Sequence, residues 1–311
     1  MVGKAADVTK LRAGLAIAAK LAISAALVWY AFAKIDAAQA FNLLRSLNPV
    51  YIAGAIGVLA LQQFCGGLRL RRLLIAAQAP VTVLAAVDAV FVGLFFGTTF
   101  VSFISGDAMR VWRLSRTGVP VAKVFQAVLF DRAFGFVALI AMIGMGFPIL
   151  LGITDDSALL LSVLGAVLIG VFGTFVFLVM HRVPRTLLRW RVVRFAADVS
   201  ASALSIVTRP AEVAYLLGMY VIGVGLGAEV RLIDLMVVVP PVMLLTMLPV
   251  SFAGWGVRES AMVVVLGLLG VGPEQSVAVS ICFGLCMMAV GLPGGVIWFV
   301  ARRESRDLSE Q

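Results

Sequence analysis

The sequence predicts an all-α polytopic membrane protein with about eight transmembrane helices, some of its membrane segments re-entrant or broken. Three observations carry this. The chain is 62% hydrophobic and only 13% charged, against roughly 45–50% and about 25% in soluble domains. Apolar runs of spanning length recur along it. The basic residues between those runs fall largely on one side of the implied membrane. A soluble protein must cover its surface with polar groups however large its core, so a composition this apolar turns much of the surface to lipid.

Crossing a bilayer as a helix takes roughly 20 apolar residues. Runs 13–33, 50–68, 158–180, 211–228 and 277–300 meet that length. The run 121–151 is overlong and carries Asp131 and Arg132, and the run 82–105 is interrupted by Gly93 and Gly97. The stretch 233–270 contains Pro240, Pro241, Pro249 and the polar segment SFAGWGVRES, and reads as two spans, 233–250 and 257–270, around a broken centre. With the N-terminus cytoplasmic and 82–105 a hairpin returning to its own side, 18 loop arginines and lysines lie inside and three (Lys34, Arg45, Arg231) outside. A full crossing by 82–105 would put the next basic clusters outside, against the positive-inside rule. A hairpin at membrane depth needs protein or water over its backbone, so it is expected to wall an internal cavity.

This places residues 1–12 and 301–311 as cytoplasmic tails and 13–300 as one transmembrane domain. The cytoplasmic segment 181–209 alternates Arg185, Arg189, Arg191 and Arg194 with Leu187, Leu188, Trp190 and Phe195. It reads as a helix lying in the interface, over about 182–205, its arginines near anionic headgroups. The apolar N-terminal run contains Lys20 and outruns a signal-peptide core, so cleavage after the AFA at 31–33 is not expected.

The net charge of +9 belongs to topology in such a chain, and no nucleic-acid-binding motif accompanies it. Cys65, Cys282 and Cys286 stand in apolar runs without the further Cys or His that a metal site needs, and read as small buried residues. His181, the single histidine, falls at a span end beside Arg182, at headgroup level. There is no phosphate-binding Gly-Lys-Ser/Thr loop and no histidine beside a nucleophile. No cofactor or metal is implied.

Two segments resemble each other: TTFVSFISGDAMRVWRL from Thr98 and TMLPVSFAGWGVRESAM from Thr246. Each passes from an apolar run through Val-Ser-Phe and small residues to an arginine, Arg110 or Arg258, with Ser102 and Ser251 at matching places. Either the match is chance or the chain carries an internal repeat with a broken helix in each half. Transporters often place binding sites at such paired breaks, where freed backbone N–H groups and a helix N-terminus favour an anion. Ionisable residues in apolar runs are costly and mark either function or mutual pairing. On this basis the candidate headgroup-binding residues are Arg258, Glu259, Arg110, Asp107, Asp131, Arg132, Ser251, Gly254, Gly256 and Ser102. Lys20 and Asp88 read as interfacial.

Four segments in order, GGLRLRRLL (66–74), SGDAMRVWRLSRTG (105–118), LFDRAFGFVALI (129–140) and LPVSFAGWGVRESAMVVVLGLLGVG (248–272), resemble the flippase-like transmembrane family, that is, the transmembrane region of lysylphosphatidylglycerol synthases and its free-standing relatives. The last segment is the most specific. The chain departs from the family pattern at TTFVSFISGD, which lacks the usual proline and paired glycines, at Gly254-Trp255-Gly256, and at Asp131, where glutamate is commoner. The resemblance implies lipid handling in the plasma membrane: movement of an anionic phospholipid, a glycolipid or a polyprenyl-phosphate carrier between leaflets, without ATP hydrolysis. It implies no aminoacylation, because the soluble transferase domain of the synthases has no counterpart in these 311 residues. The partner expected is a membrane lipid and not nucleic acid, with a homo-oligomer or a cell-envelope enzyme as further partners. Two other readings stand beside transport: a membrane scaffold for envelope enzymes, and an embedded enzyme acting on a lipid-linked phosphate or sugar.

Overall fold

Residues 36–99, 103–179, 210–247 and 254–307, with Ala22 and Trp29, are described by the computed structural model. The expected first span, the basic segment 181–209, Ser102 and Ser251 lie outside the described residues, so the count of eight spans rests partly on sequence alone. Among the described residues the regular elements are ten helices and no strand. The protein is an all-α polytopic membrane fold.

A short helix that the apolar runs do not foretell, α1 (Ala37–Ser46), opens the described chain. Asp36 caps it, its carboxylate accepting from the N–H groups of Ala38 at 2.9 Å and Gln39 at 3.1 Å, which satisfies donors otherwise orphaned at a helix start. Then come α2 (Pro49–Ala76), α3 (Val83–Thr99), α4 (Phe103–Ser115), α5 (Val121–Leu150), α6 (Ser157–Val179), α7 (Pro210–Gly225), α8 (Leu232–Met247), α9 (Val257–Gly267) and α10 (Pro273–Asp307). Helices α2, α5 and, over Pro273–Arg302, α10 are long and apolar enough to cross a membrane. Leu161, Leu168, Ile169 and Phe172 on α6, and Val296, Phe299 and Val300 on α10, are exposed. In a membrane protein these are the faces offered to acyl chains.

The interrupted segments are pairs of short helices. Helix α3 has 17 residues and α4 has 13, so at 1.5 Å per residue they reach about 26 and 20 Å. They are antiparallel: Gly97 faces Gly106, Ser105 Oγ donates to Phe96 O at 3.0 Å, and Asp88 faces Arg113. The expected hairpin is therefore present, and its return limb runs on to Ser115. Gly93 and Gly97 do not interrupt it. They lie inside α3; four residues apart, they form a small-residue face on which Gly106 sits, its α-hydrogen aimed at the Gly93 carbonyl. Small residues at this spacing let two helix backbones approach.

At the second hairpin the helices stand where the sequence sets its two spans, 233–250 and 257–270. Pro240 and Pro241 are inside an unbroken α8, which is described as far as Met247. Helix α9, with 11 residues, is about 16 Å long, too short for a hydrocarbon core of about 30 Å. It returns along α8: Gly254 lies against Thr246, and Leu235 and Leu266 share one small void.

The two hairpins run in opposite directions. Helix α10 is antiparallel to α3, since Gly291 meets Phe95 and Gly294 meets Phe91. A tight turn at 268–272, with Gly270 at φ +80°, joins α9 to α10 and reverses the chain, so α8 is parallel to α10 and opposite to α3. Each hairpin's first helix packs on the long helix that follows the other hairpin: α3 on α10 and α8 on α5. Both seams carry a Gly-x-Pro. Gly146 before Pro148 receives Val237 of α8, and Gly291 before Pro293 receives Phe95 of α3. Residues 83–150 and 232–307 are thus arranged as two inverted, mutually exchanged copies, in the manner the matching segments suggest.

Candidate functional site

Both breaks open onto one cavity of about 240 Å³. From the first hairpin it is lined by Gly93, Leu94, Gly97, Thr98, Gly106 and Arg110, and from the second by Thr246, Met247, Gly254, Trp255 and Arg258. Helix α2 contributes Gln62, Gln63 and Arg69, α5 contributes Asp131 and Arg132, and α10 contributes Phe283, Gly284, Met287 and Met288. The cavity touches both buried apolar clusters of the protein, one through Leu94 and Phe283, the other through Val90.

A charged cluster forms its wall at the first hairpin. Arg69 Nε donates to Asp131 Oδ1 at 2.6 Å. Arg110 Nη1 lies 3.6 Å from Asp131 Oδ2 and 3.6 Å from Asp107 Oδ1. Arg132 grips Asp107 with two bonds, of 2.8 and 2.7 Å. Among the described residues, three guanidinium groups thus surround two carboxylates. Arg110 Nε is buried without a hydrogen-bond partner, and its side chain fits only because Gly93, beneath it, has no Cβ. Asp88, which reads as interfacial in sequence, pairs with Arg113 Nη2 at 3.3 Å.

At the second hairpin the charges cancel. Glu259, 1% exposed, accepts from the Gly256 N–H at 2.6 Å, from Arg258 Nη2 at 2.8 Å and Nε at 3.2 Å, and from Ser280 Oγ at 3.0 Å. Arg258 lies over the Trp255 ring, 4.9 Å from its centre, and in the notch left by Gly284 on α10, where a Cβ would overlap its guanidinium. Gly254 and Gly256 have φ of +82° and +86°, a region open to glycine and strained for other residues. That is the local reason why this turn contains Gly-Trp-Gly.

Of the candidates named from sequence, Arg110, Arg132, Asp131, Gly254 and Arg258 line the cavity. Asp107 and Glu259 stand behind them as carboxylate partners, and Gly256 supplies the N–H that holds Glu259. Sequence reasoning missed Arg69. It reads there as one of the cytoplasmic loop charges, with Arg110 and Arg113; the structure builds all three into helices, ion-paired and largely buried. Gln62, Gln63, Tyr215 and Ser280 were also missed. Adjacent glutamines inside the apolar run 50–68 are the signal that points to two of them, because polar side chains at membrane depth need a reason.

An all-α membrane domain around a charged, glycine-notched cavity defines the class: a polytopic membrane protein with a polar cavity among its helices. The chain belongs to the family of the lysylphosphatidylglycerol synthase transmembrane region, whose family model matches residues 17–295, and so to a lipid-related family of membrane proteins. No curated protein matches it.

Proposed function

We propose that the chain carries an anionic lipid headgroup across the bilayer through the cavity between its two hairpins, without ATP hydrolysis and without chemistry on the lipid. One observation carries this reading: Arg110 and Arg258, at two oppositely directed breaks, border the same cavity. A phosphate entering it meets guanidinium donors, whose hydrogen bonds to phosphate are roughly twice as strong as neutral ones, in a surrounding where charge is poorly screened. Met243, Met247, Met287 and Met288 offer a soft apolar wall that adapts to the glycerol or acyl portion. The substrate is an anionic phospholipid, a glycolipid or a polyprenyl phosphate. The membrane is the plasma membrane, with both termini in the cytoplasm. An embedded enzyme is less well supported, because Asp131 is engaged by Arg69 and Arg110 and Glu259 by Arg258, so neither carboxylate is placed as a free acid or base.

The test is movement of a labelled anionic phospholipid in proteoliposomes. Arg110→Ala is expected to lower the rate at least tenfold while the protein stays folded and monodisperse in detergent. Flipping at the wild-type rate by folded Arg110→Ala and Arg258→Ala would remove the basis of this reading. Release of a covalently altered lipid would favour the enzyme.

A further inference from the structure

One part of the cavity wall is polar but uncharged. Gln62 and Gln63 stand at the centre of the 28-residue α2, and both border the cavity. Polar side chains that hold membrane helices together bond across to another helix. These do not: among the described residues, the one hydrogen bond their amide groups make is to each other, from Gln63 Nε2 to Gln62 Oε1 at 3.4 Å. Gln63 is only 8% exposed, so its carboxamide faces the cavity from an otherwise buried position with its carbonyl unpartnered among the described residues. Thr98 and Thr246, which open the two matching segments, border the same cavity. Each hydroxyl donates to a carbonyl of its own helix, Thr98 to Leu94 and Thr246 to Met243, both at 2.9 Å. Each oxygen is thereby left as an acceptor.

We propose, on the reading that the cavity takes an anionic headgroup, that Gln62 and Gln63, with Thr98 and Thr246, form a neutral subsite for the hydroxyl groups of that headgroup, so that the lipid is one whose phosphate continues into a glycerol or a sugar. Acceptor oxygens need a ligand that donates, and a phosphate diester has no donor. Ammonium and hydroxyl groups both donate. An ammonium calls for a carboxylate, and the acidic residue described on the cavity wall, Asp131, is engaged by Arg69 and Arg110. A hydroxyl carries no charge for those arginines to repel, and it both donates and accepts, as a carboxamide does. The placement fits as well. Gln62, Gly66 and Arg69 border the cavity at intervals of four and three along one face of α2, with no side chain at Gly66 to stand between them. Gln63 and Arg69 are about 9 Å apart along the helix axis, a span that a phosphate followed by a glycerol or one sugar bridges.

The experiment is calorimetric titration of the full-length protein, in a detergent without hydroxyl groups, with two short-chain lipids of equal charge. Phosphatidylglycerol carries headgroup hydroxyls and phosphatidylmethanol carries none. The wild-type protein is expected to prefer phosphatidylglycerol by about tenfold, which corresponds to about 1.4 kcal/mol. The double variant Gln62→Met/Gln63→Met, which keeps side-chain length and removes the amides, is expected to bring that ratio close to one. Thr98→Val is expected to lower the ratio about threefold and decides the matter if the glutamine variant does not fold. Arg110→Ala is expected to weaken both lipids alike and to keep the ratio. A ratio near one in the wild-type protein, or a ratio preserved in whichever of these glutamine and threonine variants folds, overturns the hydroxyl subsite; if Arg110→Ala still weakens both lipids, the anionic-headgroup reading stands. Binding of both lipids unaffected by Arg110→Ala overturns that reading. Free glycerol phosphate is expected to bind more weakly than the lipid, and equal binding would assign the cavity to a soluble polyol phosphate and overturn the lipid assignment.

Discussion

The hairpins at 83–115 and 232–267 were built to one plan and stabilised in different ways. The first is a close helix pair in which Gly93, Gly97 and Gly106 bring backbones together, and its charges are shared with α2 and α5. The second is looser, turns on two positive-φ glycines, and keeps its charges in one neighbouring pair, Arg258 and Glu259. The difference teaches that an ionisable residue inside an apolar run has two physical fates. It joins a network shared among several helices, or it is paired locally. Sequence spacing alone does not distinguish them: Asp131-Arg132 and Arg258-Glu259 are both adjacent acid and base, yet Asp131 pairs with Arg69 and Arg110 while Arg132 turns to Asp107.

The contrast is broken most severely at the shared aspartate. Asp131→Ala leaves Arg69 and Arg110 short of a carboxylate at once, and removing one partner of a buried pair costs about 3–5 kcal/mol. Thermal unfolding in detergent should show this as a large loss of midpoint temperature. A shift no greater than that of a surface substitution would mean the cluster is wetter and less coupled than its geometry implies.

The two exchanged seams give a smaller and directly comparable effect. A Cβ at Gly294 would overlap the backbone carbonyl of Phe91, which cannot move aside without shifting α3. A Cβ at Gly146 would lie 3.0 Å from Val237 Cγ2 and 3.2 Å from Val237 Cα, a tight contact that a shift of a few tenths of an ångström relieves. Gly294→Ala is expected to cost about 1–3 kcal/mol, the usual range for overpacking, and Gly146→Ala less than about 1 kcal/mol. Equal losses in parallel unfolding measurements would show the seams to be equivalent.

The smallest stability effect belongs to Gly284→Ala. The new methyl displaces only the end of the Arg258 side chain and no backbone, so the unfolding midpoint should fall only as far as the shifted guanidinium loosens its bonds to Glu259. Anionic-lipid flipping should still fall several-fold, because the guanidinium is moved. A variant with normal flipping would show that the notch does not position Arg258 for function.

Much of this was legible before any coordinates. The membrane class, the two interrupted segments, their likeness and most of the charged candidates follow from composition, run length and the rarity of charge in apolar stretches. Pro240, Pro241, Gly93 and Gly97 were legible as unusual but not in their consequence. A glycine or proline in an apolar run marks either a break or a close packing surface, and only the neighbouring helix distinguishes these. Arg69 was hidden for a related reason: next to Arg71 and Arg72 it looks like a loop charge, and its partner lies 62 positions away.

What the sequence by itself determined is where the chain is apolar enough to enter lipid and where it is not, because transfer from water depends on local composition. Tertiary structure alone decided that the two hairpins face each other from opposite directions, that their arginines share a cavity, and that one arginine joins a cluster drawn from three helices while the other pairs with its neighbour in the chain. Those outcomes depend on which helices meet and at what distance, and electrostatic pairing falls away over a few ångströms that no linear spacing records.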